Sequence, residues 1–171
     1  MDREFIKLVL DLATFEESNF STELNECFAQ GFEFTTMNEL GDTEENRFHL
    51  YELNKLCSRD IPGRGEFFSY DEFCQRRYGE YYDPRGVAIG VTEGHWIGMC
   101  ATSNHSDKGF CFNEMTGVIN EYRRRGLALA LKFMGIRYAK SVGVQKVFTI
   151  QDAQNSSAIA MNRKLGYVDS K

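Results

Sequence analysis

No stretch of this chain approaches the roughly 18 consecutive apolar residues of a membrane-spanning helix, so an integral helical membrane protein is not expected. There is no Cys-x-x-Cys pair, no internal repeat and no low-complexity segment. The three histidines, His49, His95 and His105, are scattered, so the clustered ligands of a zinc site are missing and no metal is expected. Positive charge is not in surplus either: 20 Lys and Arg against 25 Asp and Glu leave a net charge of −5. The molecule as a whole should therefore repel nucleic acid and anionic membranes, and any anion site must be local. The N-terminus MDREFIKLVLDL has acids too early and an apolar stretch broken by Lys7 and Asp11, unlike a secretory signal.

What is present suits one soluble domain spanning 1–171. Apolar residues make up 42% and aromatics 13%, enough for a substantial core. The five cysteines (Cys27, Cys57, Cys74, Cys100, Cys111) mostly sit in apolar patterns and read as buried thiols of a cytoplasmic protein.

EFIKLVLDLA is rich in branched residues and partly alternates, as a strand does. Phe20, Leu24 and Phe28 recur at helical spacing and Gly31 closes that helix. FEFTT is a short strand. Asp42-x-x-Glu45 reads as a capping box for a helix carrying Phe48, Leu50, Tyr51, Leu53 and Leu56; Ser69-x-x-Glu72 starts a second, with Phe73 inward. GVAIGV and HWIGMCATS flank a hairpin turn at Thr92-Glu93-Gly94, and FCFNEMTGVIN follows as a third strand, with the lone Trp96 expected in the sheet core. Leu127, Leu131, Met134 and Tyr138 then mark one stripe of a helix. VGVQKVFTI is a strand of the continuous apolar kind expected when both faces are covered. Ala158, Met161 and Leu165 mark a last helix, closed by Gly166. The fold class is α/β (α+β), a mixed, mostly antiparallel central sheet with helices on both faces.

One junction is unusual. In NEYRRRGLALALKFM three arginines run into the start of a helix, where the dipole is already positive and acids are preferred. With no capping side chain, the turn presents free backbone N–H groups, and Gly126 lets an anion approach the main chain closely. Ala128 is small for the same reason, and Arg123, Arg124 and Arg125 add donors suited to phosphate. A solvated surface cluster and a nucleic-acid patch are the alternatives; the acidic remainder weighs against the second. No G-x-x-x-x-G-K-[ST] occurs, so this is not a P-loop.

MTGVINEYRRRGLALALKF, followed by a strand and then NSSAIAMNRKLGY, resembles the GNAT superfamily of acyl-CoA-dependent N-acyltransferases, in particular the branch related to mycothiol synthase. Arg123-x-x-Gly126-x-Ala128 is similar to that family's pyrophosphate-binding signature, and the resemblance is specific from about Met115 to Tyr167. It implies a GNAT-like fold with an acyl-CoA-binding core over 110–167. The pantetheine of acetyl-CoA (coenzyme A) would lie as a pseudo-strand against Met115, Thr116, Gly117 and Val118, with Gly117 suiting a close approach or a bulge. The diphosphate would rest on the turn from Arg123 through Leu127 to Ala128, and Asn155 would contact the pantetheine or simply cap its helix.

The implied reaction is direct acetyl transfer to the amine of a small molecule, with Val118 N–H as donor to the developing oxyanion. Glu114 is the first candidate for general base; Glu121 is expected to be solvated or arginine-paired. Many relatives place a proton-donating tyrosine where this chain has Asn162, and an asparagine can only hydrogen-bond. Phe67, Phe68, Tyr70, Tyr81 and Tyr82 stand either near an acceptor pocket or in the core. Relatives usually continue with one or two strands after the LGY motif, whereas only Val168 to Lys171 follow here. The N-terminal strand, 1–12, is expected to fill that edge, either within the chain or exchanged with a neighbour in a homodimer. The competing function is a non-catalytic CoA or acyl-CoA sensor.

Overall fold

Strand β1 (Phe5–Asp11) shows how the sheet is written into the chain: its alternation buries Leu8 and Leu10 completely while the residues between them stay at least partly open. The computed structural model describes residues 2–171. After β1 come α1 (Ser21–Phe28), β2 (Glu33–Thr36), α2 (Met37–Leu40), α3 (Glu44–Ser58) and α4 (Tyr70–Arg77). The hairpin β3 (Val87–Thr92) and β4 (His95–His105) follows, then β5 (Phe110–Val118), α5 (Leu127–Ser141), β6 (Lys146–Asp152), α6 (Ser156–Leu165) and β7 (Val168–Asp169). The strands form one seven-stranded sheet in the order β2-β3-β4-β5-β6-β1-β7, antiparallel throughout except for the parallel pair β5–β6.

Period-two patterning sends alternate residues to two cores. On one face Leu127, Leu131, Phe133 and Ile136 of α5 pack with Leu8, Leu10, Ala88, Ile97 and Cys100, and Phe133 meets Phe15 and Phe20 at ring distances of 5.4 and 5.5 Å. On the other, Met37, Leu50, Leu53, Cys57 and Phe73 cover Val87, Ile89, Met99 and Ala101. The mixed, mostly antiparallel sheet with helices on both faces is the expected architecture.

Several local expectations change. The cap of α3 is Thr43, whose side chain accepts from Asn46 N–H; Asp42 instead binds Arg47 through both oxygens and accepts from Tyr82. The Ser69–Glu72 capping box forms as expected, and a further one, Thr36–Glu39, opens α2. Phe28, Phe48 and Leu56 are exposed, because their helices each present only a narrow stripe to the sheet. Trp96 lies at the core's margin, stacked on His49 at 3.9 Å. Strand β6 is not covered on both faces: Val147 and Thr149 are buried, but Ile150 is 47% exposed. That open face borders the cleft described next.

Candidate active site

Strands β5 and β6 pair only from Phe110↔Lys146 to Asn113↔Thr149, and beyond that point they diverge. The cause is local. Ala101 pairs with Met115 while Thr102 pairs with Asn113, so Glu114 is an extra residue in β5. Such a bulge bends and overtwists its strand, here away from β6. The fork is pinned by buried polar groups: Thr149 Oγ1 donates to the Asn113 carbonyl at 3.0 Å, Asn113 Nδ2 donates to the Ala101 carbonyl at 3.2 Å, and Thr116 Oγ1 donates to Asn113 Oδ1 at 3.1 Å. Met115 to Val118 keep β4 as partner on one side, so every second backbone group on the other side points into the gap. Gly117 is not the bulge; a Cβ there would stand 2.6 Å from Cys57 Cβ, so its lack of a side chain admits α3.

The gap widens into a cleft of about 990 Å³. Glu114, Met115, Thr116, Gly117, Val118, Arg123, Arg124, Gly126, Leu127, Ala128, Asn155 and Asn162 all line it; Arg125 does not.

At one end is the arginine–glycine turn. Arg124 (φ 64°) and Gly126 (φ 83°) are left-handed, which turns successive N–H groups to one side as in an anion nest. Gly126 caps α5 with no side-chain bond, so the first N–H groups of the helix remain free. A Cβ at Gly126 would lie 3.3 Å from Cys27 Cβ, because α1 packs over the turn. The three guanidiniums do not act alike. Arg123 donates from Nε to the Val118 carbonyl at 3.0 Å and from Nη1 to Asp60 at 2.9 Å, closing a strand-end acceptor that β6 leaves unpaired. Arg125 lies over the Tyr122 ring at 5.2 Å, and its carbonyl accepts from Gln30. Only Arg124 reaches the cleft without a protein partner among the described residues. Glu121 is exposed and forms no ion pair among them.

At the cleft floor is a pair the sequence reading did not anticipate. Lys132, 2% exposed, donates from Nζ to Asn162 Oδ1 at 2.5 Å and stands 4.9 Å from the Tyr167 ring centre. Asn162 is fully buried, and its Nδ2 has no partner. Burial lowers the Lys132 pKa to about 8, partly offset by Cys100. The available signal was a single lysine inside the apolar run LALALKFM, one turn beyond the small Ala128. Asn155 caps α6, its Oδ1 accepting from Ala158 N–H at 3.4 Å. Glu114 is ion-paired through Oε2 to Arg77, whose side chain is 9% exposed, and Oε1 is left unengaged. No group of three or more His, Cys, Asp or Glu residues gathers for a metal among the described residues.

The residues fit a diphosphate with an extended amide tail: a nest with free donors, a gap edged by unpaired backbone, and an orphan amide at its floor. Sheet order, fork and nest together define an α/β fold whose split sheet opens a cleft onto an anion-type turn. Residues 24–167 match the profile of the "Acetyltransferase (GNAT) family", and the chain belongs to that family. Among curated relatives, a mycothiol acetyltransferase of Paenarthrobacter aurescens is 33% identical over 98 residues, covering 54% of this chain and 30% of that protein. The chain thus spans about a third of the length of the curated relatives it matches. Among solved structures, a GCN5-related N-acetyltransferase from Sphaerobacter thermophilus superposes with TM-score 0.69 at 20% identity, over 98% of this chain and 49% of that one. An aminoglycoside N-acetyltransferase in complex with CoA superposes with TM-score 0.59 at 18% identity, over 82% of this chain and 90% of that one.

Proposed function

We propose that this domain transfers an acetyl group from acetyl-CoA directly to the amino group of a small molecule. The observation that carries the reading is the fork of β5 and β6 opening onto the left-handed turn at Arg124 and Gly126. When bound, acetyl-CoA supplies an acyl group activated as a thioester. The nest and Arg124 hold the diphosphate, and Met115 to Val118 offer backbone partners along the gap. The N–H of Val118 is assigned to oxyanion stabilisation. Glu114 accepts the amine's proton at Oε1, while Arg77 fixes the carboxylate through Oε2. Asn162 cannot donate an acidic proton, but Lys132 holds one at Nζ against Asn162 Oδ1, and its pKa of about 8 would let it pass that proton to the thiolate that leaves when the thioester C–S bond breaks. Asn155 serves as a cap at the cleft's edge. The acceptor side faces neither nucleic acid nor membrane in this reading, given the net charge of −5. Five free thiols, four of them buried, favour the reducing cytoplasm as its setting.

The test is calorimetry with acetyl-CoA and CoA on the wild type and on Gly126→Asp, beside acetyl transfer to a panel of amines. An added side chain at Gly126 meets a left-handed φ and Cys27, and its charge repels the diphosphate. A loss of at least about tenfold in affinity is expected. Binding untouched by that substitution sinks the reading, and tight binding with no turnover on any amine turns it into a sensor.

A further inference from the structure

The side of the cleft formed by the loop after α3 and by α4 carries guanidiniums that no carboxylate pairs among the described residues. Every carboxylate lining the cleft is already engaged: Asp60 by Arg123, Glu114 by Arg77 and Asp152 by Arg3. Arg64 and Arg76 also line it, and neither forms an ion pair among the described residues.

Both are held in place from beneath by aromatic rings. The guanidinium of Arg64 lies 4.8 Å from the ring centres of Phe67 and of Phe68, and that of Arg76 lies 4.3 Å from Phe68. The ledge itself is anchored, since Tyr51 Oη donates to the Phe68 carbonyl at 2.7 Å. Arg64 Nε is shielded from solvent and has no hydrogen-bond partner. Burial, then the nearby charges of Arg3 and Arg76, pull the Arg64 pKa below its ordinary value. Glu72, one turn before Arg76, has its pKa lowered by hydrogen bonds from the Ser69 N–H and hydroxyl to Oε2 and, more weakly, by the Arg76 charge, but it forms no ion pair with Arg76 among the described residues. Two guanidiniums that share the Phe68 ring, repel each other and have no ion-paired carboxylate are a cost to the free protein that an anion would reduce.

We infer that the acceptor is an amine that also bears an anionic oxygen group, a carboxylate or a phosphate, which Arg64 and Arg76 bind while the amino group faces Glu114. The inference rests on the acetyl-transfer reading for its amine and on the arginine ledge alone for its anion. Arg77, paired to Glu114 and packed on Phe73 at 5.5 Å, separates the two ends of such a substrate: one end meets positive charge, the other a carboxylate. A polyamine or an unsubstituted alkylamine leaves both ledge guanidiniums unmet.

The experiment compares four probes of similar size with CoA-loaded protein by calorimetry and with acetyl-CoA by turnover: 4-aminobutyrate, 2-aminoethyl phosphate, 4-aminobutanamide and 1,4-diaminobutane. The proteins are the wild type, Arg64→Gln with Arg76→Gln, and Arg137→Gln on the far surface as a control. At least one anionic probe should bind about tenfold or more tightly than the amide, a preference the double variant abolishes and the control keeps. The affinity for acetyl-CoA and the handling of the amide should be unchanged in the double variant. A carboxylate probe preferred over the phosphate, or the reverse, identifies which anion the ledge takes. Equal binding of all four probes, a preference for the diamine, or a preference that survives the double substitution overturns the inference. Anion-dependent binding without acetylation of any amine supports the ledge and overturns the transferase reading, so the two fail separately.

Discussion

Lys132 is buried with an amide rather than a carboxylate as its partner, so its charge is carried at the fold's expense. Below pH about 8 both the folded and the unfolded chain hold the proton, and the folded state bears the full penalty. Between about 8 and the ordinary 10.5 the unfolded chain keeps a proton that the folded chain has released, so stability rises with pH across that window. Against Lys132→Met, the wild type should gain on the order of 3 kcal/mol between neutral pH and about pH 10. Urea melts of both proteins at the two pH values read the difference directly, with other titrating groups cancelling. A difference flat in pH means that the ammonium is solvated in the folded protein. At the same scale, the arginines show where composition misleads: of three adjacent guanidiniums, one braces a strand end, one packs on a tyrosine and one reaches the cleft without a protein partner among the described residues.

At the scale of elements, the α6 start separates two roles for Asn155. The side chain caps the helix by accepting from Ala158 N–H. Asn155→Ala should cost about 1 kcal/mol in urea unfolding, and Asn155→Asp, which keeps an acceptor there, should restore it. If the residue serves only as a cap, acetyl-CoA affinity follows the same order. Loss of affinity in both variants would make Asn155 a ligand contact as well. Capping was legible from short motifs where the polar residue stands at the boundary, as at Ser69. It was misread by one position at Asp42, because Arg47 and Tyr82 claim that carboxylate through contacts no local pattern encodes.

For the whole molecule, β1 sits between β6 and β7, seven residues long against β6 and two against β7. It brings Leu8 and Leu10 into the core beneath α5. Deleting 1–12 should uncover the β6 edge next to the cleft and remove roughly 1.5–3 kcal/mol for each of those leucines. The expected outcome is loss of cooperative unfolding and self-association on sedimentation, with the full chain monomeric. Unchanged solubility and mass after the deletion would mean that β1 does not complete the sheet. A full chain that sediments as a dimer, reduced to monomer by the deletion, would mean that the strand is exchanged between copies.

Alternation, helical stripes, the Ser69–Glu72 capping box, the hairpin turn and the Arg-x-x-Gly-x-Ala junction were readable in the sequence because each depends on neighbours within a few residues. Those local signals were enough to set the mixed sheet, the place of the arginine–glycine turn and the order of every strand and helix except the one-turn α2 and the two-residue β7. The Glu114 bulge, the Asn113–Thr149 pin, the Lys132–Asn162 pair and the Arg64–Arg76 ledge belong to the tertiary structure alone. Each joins residues far apart in the chain or depends on strand register, and the burial and charge that give them chemical meaning arise only when the sheet has closed around them.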